Sequence, residues 1–112
     1  MKVNKPWGYY QVILNNEKYK VKLLSVNPLQ SLSLQYYKHR SEHWVVVNGI
    51  ATVTVDNIIK EYFYNDFIYI DNLQLHRLEN KTMNELQVIE IQCGEKLDEE
   101  DIIRYIDNYN RC

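Results

Sequence analysis

The sequence predicts an all-β domain, and three observations carry that prediction. Apolar and polar residues alternate with period two along short runs, the breaks between runs carry turn chemistry, and tyrosine dominates the aromatic residues, with 10 Tyr against 3 Gly and 2 Pro. Aromatic side chains fit a pleated, half-buried surface, and period-two alternation sends successive side chains to opposite faces of a sheet. In chain order the predicted strands are Tyr9–Leu14, Tyr19–Val26, Leu32–Tyr37, His43–Val47, Ala51–Val55, Ile58–Tyr64, Phe67–Ile70, His76–Glu79 and Leu86–Gln92. They are separated by Asn15-Asn16, Asn27-Pro28, Asn48-Gly49, Asp56-Asn57, Asn65-Asp66, Asp71-Asn72 and Asn80-Lys81. Asn-Gly at 48–49 is the strongest hairpin signal, because both residues tolerate the positive φ of a tight turn. Short strands at roughly 8–12-residue spacing point to a sandwich or a small barrel. Only the chain end reads as helix: the acidic run Asp98–Asp101 precedes Ile102-Ile103-Arg104-Tyr105-Ile106, with apolar residues at helical spacing. The tail Asp107–Cys112 is too polar to form core.

A chain of 112 residues and 13.5 kDa is one domain's worth, and a single domain over 1–112 is expected. Hydrophobic residues at 46% and charged residues at 25% exclude disorder. A formal net charge of −2 argues against nucleic-acid binding. The longest apolar stretches, such as Trp44–Val47, are far too short to cross a membrane. Met1–Trp7 lacks the apolar centre of a signal peptide, so a cytoplasmic location is expected. Cys93 and Cys112 show no metal spacing and are expected as free thiols.

The histidines lie in two windows, Gln35–Trp44 and Asp71–Asn80. Alternation puts Leu32, Leu34 and Tyr36 on one face and Ser33, Gln35, Tyr37 and His39 on the other, a polar face suited to a wet cavity mouth. His39 and His76, distant in sequence, would meet there with Glu42 and supply two imidazoles and a carboxylate, a set used for first-row divalent metals. Each residue also has a plain structural role open to it. His43 beside Trp44 packs, Arg40 and Arg77 are solvated strand charges, and Lys20 and Lys22 alternate with Val21 and Leu23 as an exposed face would.

Glu42 followed after six residues by Gly49, and His76 followed after three by Asn80, match parts of the two cupin motifs. Further strings are Lys5-Pro6-Trp7-Gly8, Tyr19-Lys20-Val21-Lys22, Leu32-Ser33-Leu34-Gln35, His39-Arg40 with Glu42-His43-Trp44, His76-Arg77-Leu78-Glu79-Asn80, and Val88–Glu95. From about Lys5 to Arg111 the chain resembles the type II mannose-6-phosphate isomerase cupin, usually the C-terminal module of the bifunctional mannose-1-phosphate guanylyltransferase/mannose-6-phosphate isomerase. The resemblance implies a double-stranded β-helix (jelly-roll) barrel, here with a short C-terminal helix, and interconversion of mannose 6-phosphate and fructose 6-phosphate. It implies a divalent metal, zinc or similar, on His39, Glu42, His76 and Gln35. It further implies catalysis by His43, Arg40 and Arg111, with substrate contacts from Arg77, Lys22 and Tyr37. The chain departs from the family at Tyr37, where a histidine ligand is usual, and at Asp71, Leu73 and Asn110, where Pro, Gly and Gly are usual. Loss of glycine at Leu73 implies a differently shaped turn before His76. The alternative reading is a degenerate cupin that binds a sugar phosphate or nucleotide sugar, or partners a separate guanylyltransferase. An open barrel rim and a Tyr-rich edge imply a homodimer.

Overall fold

The computed structural model describes residues 2–95 and 97–109. Strands β1 (Lys2–Lys5), β2 (Gly8–Asn15), β3 (Tyr19–Val26), β4 (Leu34–Tyr37), β5 (Arg40–Asn48) and β6 (Ala51–Val55) are followed by β7 (Ile58–Tyr62), β8 (Phe67–Ile70), β9 (His76–Glu79), β10 (Leu86–Gly94) and β11 (Ile102–Ile106). One six-stranded sheet has the order β1-β2-β3-β10-β5-β8, and a five-stranded sheet has the order β11-β4-β9-β6-β7. The named strand pairs are antiparallel. Trp7, Leu24, Val26, Trp44, Val46, Val53, Leu78, Leu86 and Val88 belong to the buried apolar cluster of this rolled double sheet.

The inner face changes character along its central strands, and this change positions the site. Leu86, Val88, Glu90 and Gln92 share one side of β10 and are all buried. On the flanking strands, Val88 stands between Leu24 and Val46, Glu90 between Lys22 and Trp44, and Gln92 between Lys20 and Glu42. One end of the barrel is therefore apolar and the other carries charge into the interior. At the polar end Gly94 pairs with Arg40, and a Cβ there would lie 2.2 Å from the His39 carbonyl oxygen, so only glycine allows this approach.

Two expectations about local structure are corrected. First, Asn48-Gly49 does not close a hairpin: β5 pairs with β10 and β8, whereas β6 pairs with β7 and β9, so this turn carries the chain between sheets. A tight hairpin with positive φ at both loop residues lies instead at Asp56-Asn57 (48° and 68°). Second, the C-terminal helix is a strand. Asp98 caps as expected, its Oδ1 accepting from the Glu100 amide at 3.0 Å, but only a single 3₁₀ turn, Glu99–Asp101, follows. The β-branched and aromatic residues after it pair as β11 with β4, where the sheet edge offers hydrogen bonds and an inner face. Leu73, in the turn before His76, adopts a left-handed backbone, φ 64°. Of the tail expected to be too polar for core, Asp107 is buried and Tyr109 packs against the core, and residues 110–112 lie outside the described residues.

Candidate functional site

The polar ends of β3, β5 and β10 face β4 and β11 across a cavity of about 70 Å³. Its lining carries the cations Lys5, Lys22, Arg40 and Arg104 and the carboxyl group of Glu90. Gln35 and Tyr37 add polar surface, and Trp7, Tyr10 and Trp44 add aromatic walls. Lys22 is only 2% exposed and Arg40 only 3%. Burying such charges is costly unless they are paired or used. Tyr10 holds Lys22 in place, with the ammonium 4.1 Å from its ring centroid.

Beneath the cavity lies an ion-pair assembly. Glu42, 1% exposed, accepts at Oε2 from Arg40 Nε (3.1 Å) and Nη2 (3.0 Å) and at Oε1 from Trp44 Nε1 (2.9 Å). The Arg40 guanidinium also lies over Tyr37, 3.4 Å from its ring centroid. His76 Nδ1 is 2.8 Å from the Gln74 carbonyl oxygen. A carbonyl only accepts, so that nitrogen carries the proton and Nε2 presents a lone pair. Nε2 has no hydrogen-bond partner and lies 3.9 Å from Glu42 Oε1. Burial chiefly pushes the His76 pKa below its ordinary value, favouring neutral imidazole. Glu90 is pushed the other way, up to about 8, by burial first and by the nearby Glu42 carboxylate second, against the opposing pull of Arg40, Lys22 and Gln92.

Of the sequence-predicted residues, the structure gathers Gln35, Tyr37, Arg40, Glu42, His76 and Lys22 at the polar end. His39 does not join them. The alternation along β4 breaks in the Lys38-His39 turn, and the His39 side chain, 38% exposed, pairs through Nδ1 with Asp101 Oδ1 at 2.7 Å. Asp101 Oδ2 also accepts from the Lys38 and His39 amides, tying the start of β11 to this turn. Burial raises the Asp101 pKa, but these hydrogen bonds outweigh it and hold the carboxyl below its ordinary value. His43 is exposed on the opposite face of β5, its ring 4.8 Å from that of Tyr69. Arg77 alternates with inward His76 and Leu78, and donates instead to Leu32 O (2.9 Å) and Asn108 Oδ1 (2.8 Å) as a strut. Arg111 lies outside the described residues.

The expected metal set does not fit this geometry. Among the described residues no group of three His, Cys, Asp or Glu side chains is placed to hold an ion. His39 is turned to Asp101, and the Glu42 oxygens are taken by a guanidinium and an indole. Gln35 Oε1 accepts from Ser33 Oγ at 2.6 Å, and position 37 carries a phenol.

Glu90 and Arg104 were missed in the sequence. Glu90 was legible, since it falls in phase with Leu86 and Val88 and a charge there must point inward. Arg104 was hidden by the helical reading; as a strand residue opposite Gln35 it lines the cavity, and its buried Nε has no hydrogen-bond partner.

Among solved structures, the chain is similar to the capsular polysaccharide assembling protein CapF of Staphylococcus aureus, with TM-score 0.76 and 16% identity over 95% of this chain and 34% of that one. It is also similar to KdgF from Halomonas sp., with TM-score 0.75 and 10% identity over 88% and 89%. A double-stranded β-helix domain protein from Klebsiella pneumoniae gives TM-score 0.73 and 16% identity over 83% and 79%. These likenesses show the cupin fold. In sequence, the chain is 44% identical over 109 residues to a mannose-1-phosphate guanylyltransferase of Escherichia coli, covering 97% of this chain. It is 41% identical over 111 residues to the alginate biosynthesis protein AlgA of Pseudomonas putida, covering 99% of this chain. In both cases the chain spans only 23% of the relative's length. The family model described as mannose-6-phosphate isomerase C-terminal matches residues 1–107, and the chain belongs to that family.

Proposed function

We propose that this chain binds an open-chain hexose 6-phosphate at the cationic cavity and interconverts mannose 6-phosphate and fructose 6-phosphate, serving nucleotide-sugar and polysaccharide synthesis. The observation that carries the reading is the gathering of Lys5, Lys22, Arg40 and Arg104 around one cavity. Cations in a partly dehydrated cleft attract a phosphate and stabilise the enediolate oxygens that isomerisation creates. Relatives named for mannose-1-phosphate guanylyl transfer and for alginate and xanthan biosynthesis support the same metabolic setting.

Size constrains the pose. About 70 Å³ is well below the roughly 300–1,000 Å³ of a pocket that encloses a whole ligand. The cavity takes the C1–C2 end of the acyclic sugar, and the phosphate rests on Arg104 and Lys5. A second reading, binding without turnover, draws on the Arg40–Tyr37 stack, which packs two of the cavity-lining side chains against each other. The test is calorimetric titration with mannose 6-phosphate, run beside a phosphorus NMR assay for fructose 6-phosphate. Binding with turnover supports the isomerase, binding alone supports the second reading, and no binding of either hexose phosphate overturns both.

A further inference from the structure

We infer that Glu90 is the proton-transfer residue of this site, its carboxyl lining the cavity between Lys22 and Trp44 and held from one side by Gln92. The inference rests on the isomerase reading above and identifies the residue that performs its central step.

The geometry selects Glu90 by position. Glu42 has both oxygens engaged by Arg40 and Trp44, and His43 is exposed on the other face of the sheet. His76 is buried behind the Tyr37 and Trp44 rings, 6.1 and 5.6 Å away between centroids. Among the described residues that line the cavity, Glu90 is the one carboxylic acid and none is a histidine. It is 5% exposed, and Gln92 Nε2 donates to its Oε1, which fixes the plane of the carboxyl group. The titratable and charged groups facing this end of the barrel are Lys22 on β3, Arg40 and Glu42 on β5, Tyr37 on β4, His76 on β9, Arg104 on β11, Lys5 on β1 and Tyr10 on β2. Burial and Glu42 together raise its proton affinity into the range where one carboxyl can both take and return a proton near neutral pH.

The step balances without a co-reactant. Glu90 carboxylate takes the C2 proton of the open-chain aldose. The C2–H electron pair becomes the C1–C2 π bond, and the C1 carbonyl pair moves to O1, stabilised by Lys22 and Arg40. The O2 hydroxyl proton passes to O1 and the O2 pair forms the C2 carbonyl. The C1–C2 π pair takes the proton back from Glu90 at C1. C1 is reduced, C2 is oxidised, and Glu90 ends as carboxylate.

The test follows exchange of the C1 proton of fructose 6-phosphate for deuterium in D₂O by proton NMR, with calorimetric titration of the same ligand. The parent chain is expected to exchange, with a rate that rises toward pH 8 and levels above it. Glu90→Gln, which keeps the Gln92 hydrogen bond, is expected to bind yet lose exchange by about 100-fold or more. Exchange by Glu90→Gln at the parent rate overturns the inference, as does a parent that binds without exchanging; neither outcome touches the binding reading. Absence of binding by the parent overturns the function proposed above and this step with it. Should Glu90→Gln fail to fold, the parent pH profile decides: a rate that does not change between about pH 5 and pH 9 refutes the assignment.

Discussion

Arg40 lies over Tyr37, its guanidinium carbon 3.4 Å from the ring centroid, while its Nε and Nη2 hold Glu42 Oε2 at 3.1 and 3.0 Å. One buried cation thus neutralises the deepest carboxylate and caps the phenol that stands where the family usually has histidine. Removing the cation alone leaves Glu42 charged in a medium that cannot solvate it. Arg40→Met is therefore expected to lose about 3–5 kcal/mol of stability in urea unfolding. Adding Glu42→Gln is expected to recover most of that loss, and a double-mutant cycle measures the coupling.

Glu90 makes stability depend on pH in a defined direction. Its folded pKa, about 8, lies above its ordinary value of 4.5, so the folded state keeps a proton that the unfolded state releases. This favourable term is fully present below pH 4.5 and is lost as pH rises through about 8. Glu90→Gln cannot ionise, so its melting temperature is expected to exceed that of the parent at pH 8. The difference should shrink toward pH 4.5, as thermal melts across the window will show.

Asp101 ties the start of β11 to the β4–β5 turn through three hydrogen bonds. Asp101→Ala is expected to speed amide hydrogen exchange across Ile102–Ile106 more than across β10. Because β11 carries Arg104, affinity for mannose 6-phosphate should fall in the same variant.

Arg104 and Arg77 separate binding from scaffolding. Arg104→Gln removes a cavity cation and is expected to weaken hexose phosphate binding by about tenfold, in line with loss of one charge-assisted hydrogen bond. Arg77→Gln loses the Leu32 and Asn108 contacts and is expected to lower the melting temperature with affinity unchanged.

Leu73 occupies a left-handed conformation that costs a β-carbon about 1–2 kcal/mol. The side chain is 62% exposed, so little packing is lost on its removal. Leu73→Gly is expected to stabilise the fold by about 1 kcal/mol in urea titration.

Period two was readable along β3, β6, β8 and β9, whose bounds match the predicted runs. It was readable because a side chain facing a core and one facing water are selected locally, residue by residue. The same logic identified Ser33, Gln35 and Tyr37 as one polar face, and all three are buried inward. Composition and alternation were therefore sufficient for an all-β chain with a polar interior face. They did not reveal where the ends of that face lead. His39 sits two residues past Tyr37, the last paired residue of β4, where alternation no longer constrains direction, and Asp101 from 62 positions away decides its orientation. Ile102–Ile106 has apolar spacing compatible with a helix and β-branched residues compatible with a strand; the open edge beside β4 made the choice. Local chemistry thus settled which residues are inside or outside, while which inward charges share a cavity followed from sheet register and strand order, which join residues that no sequence window contains.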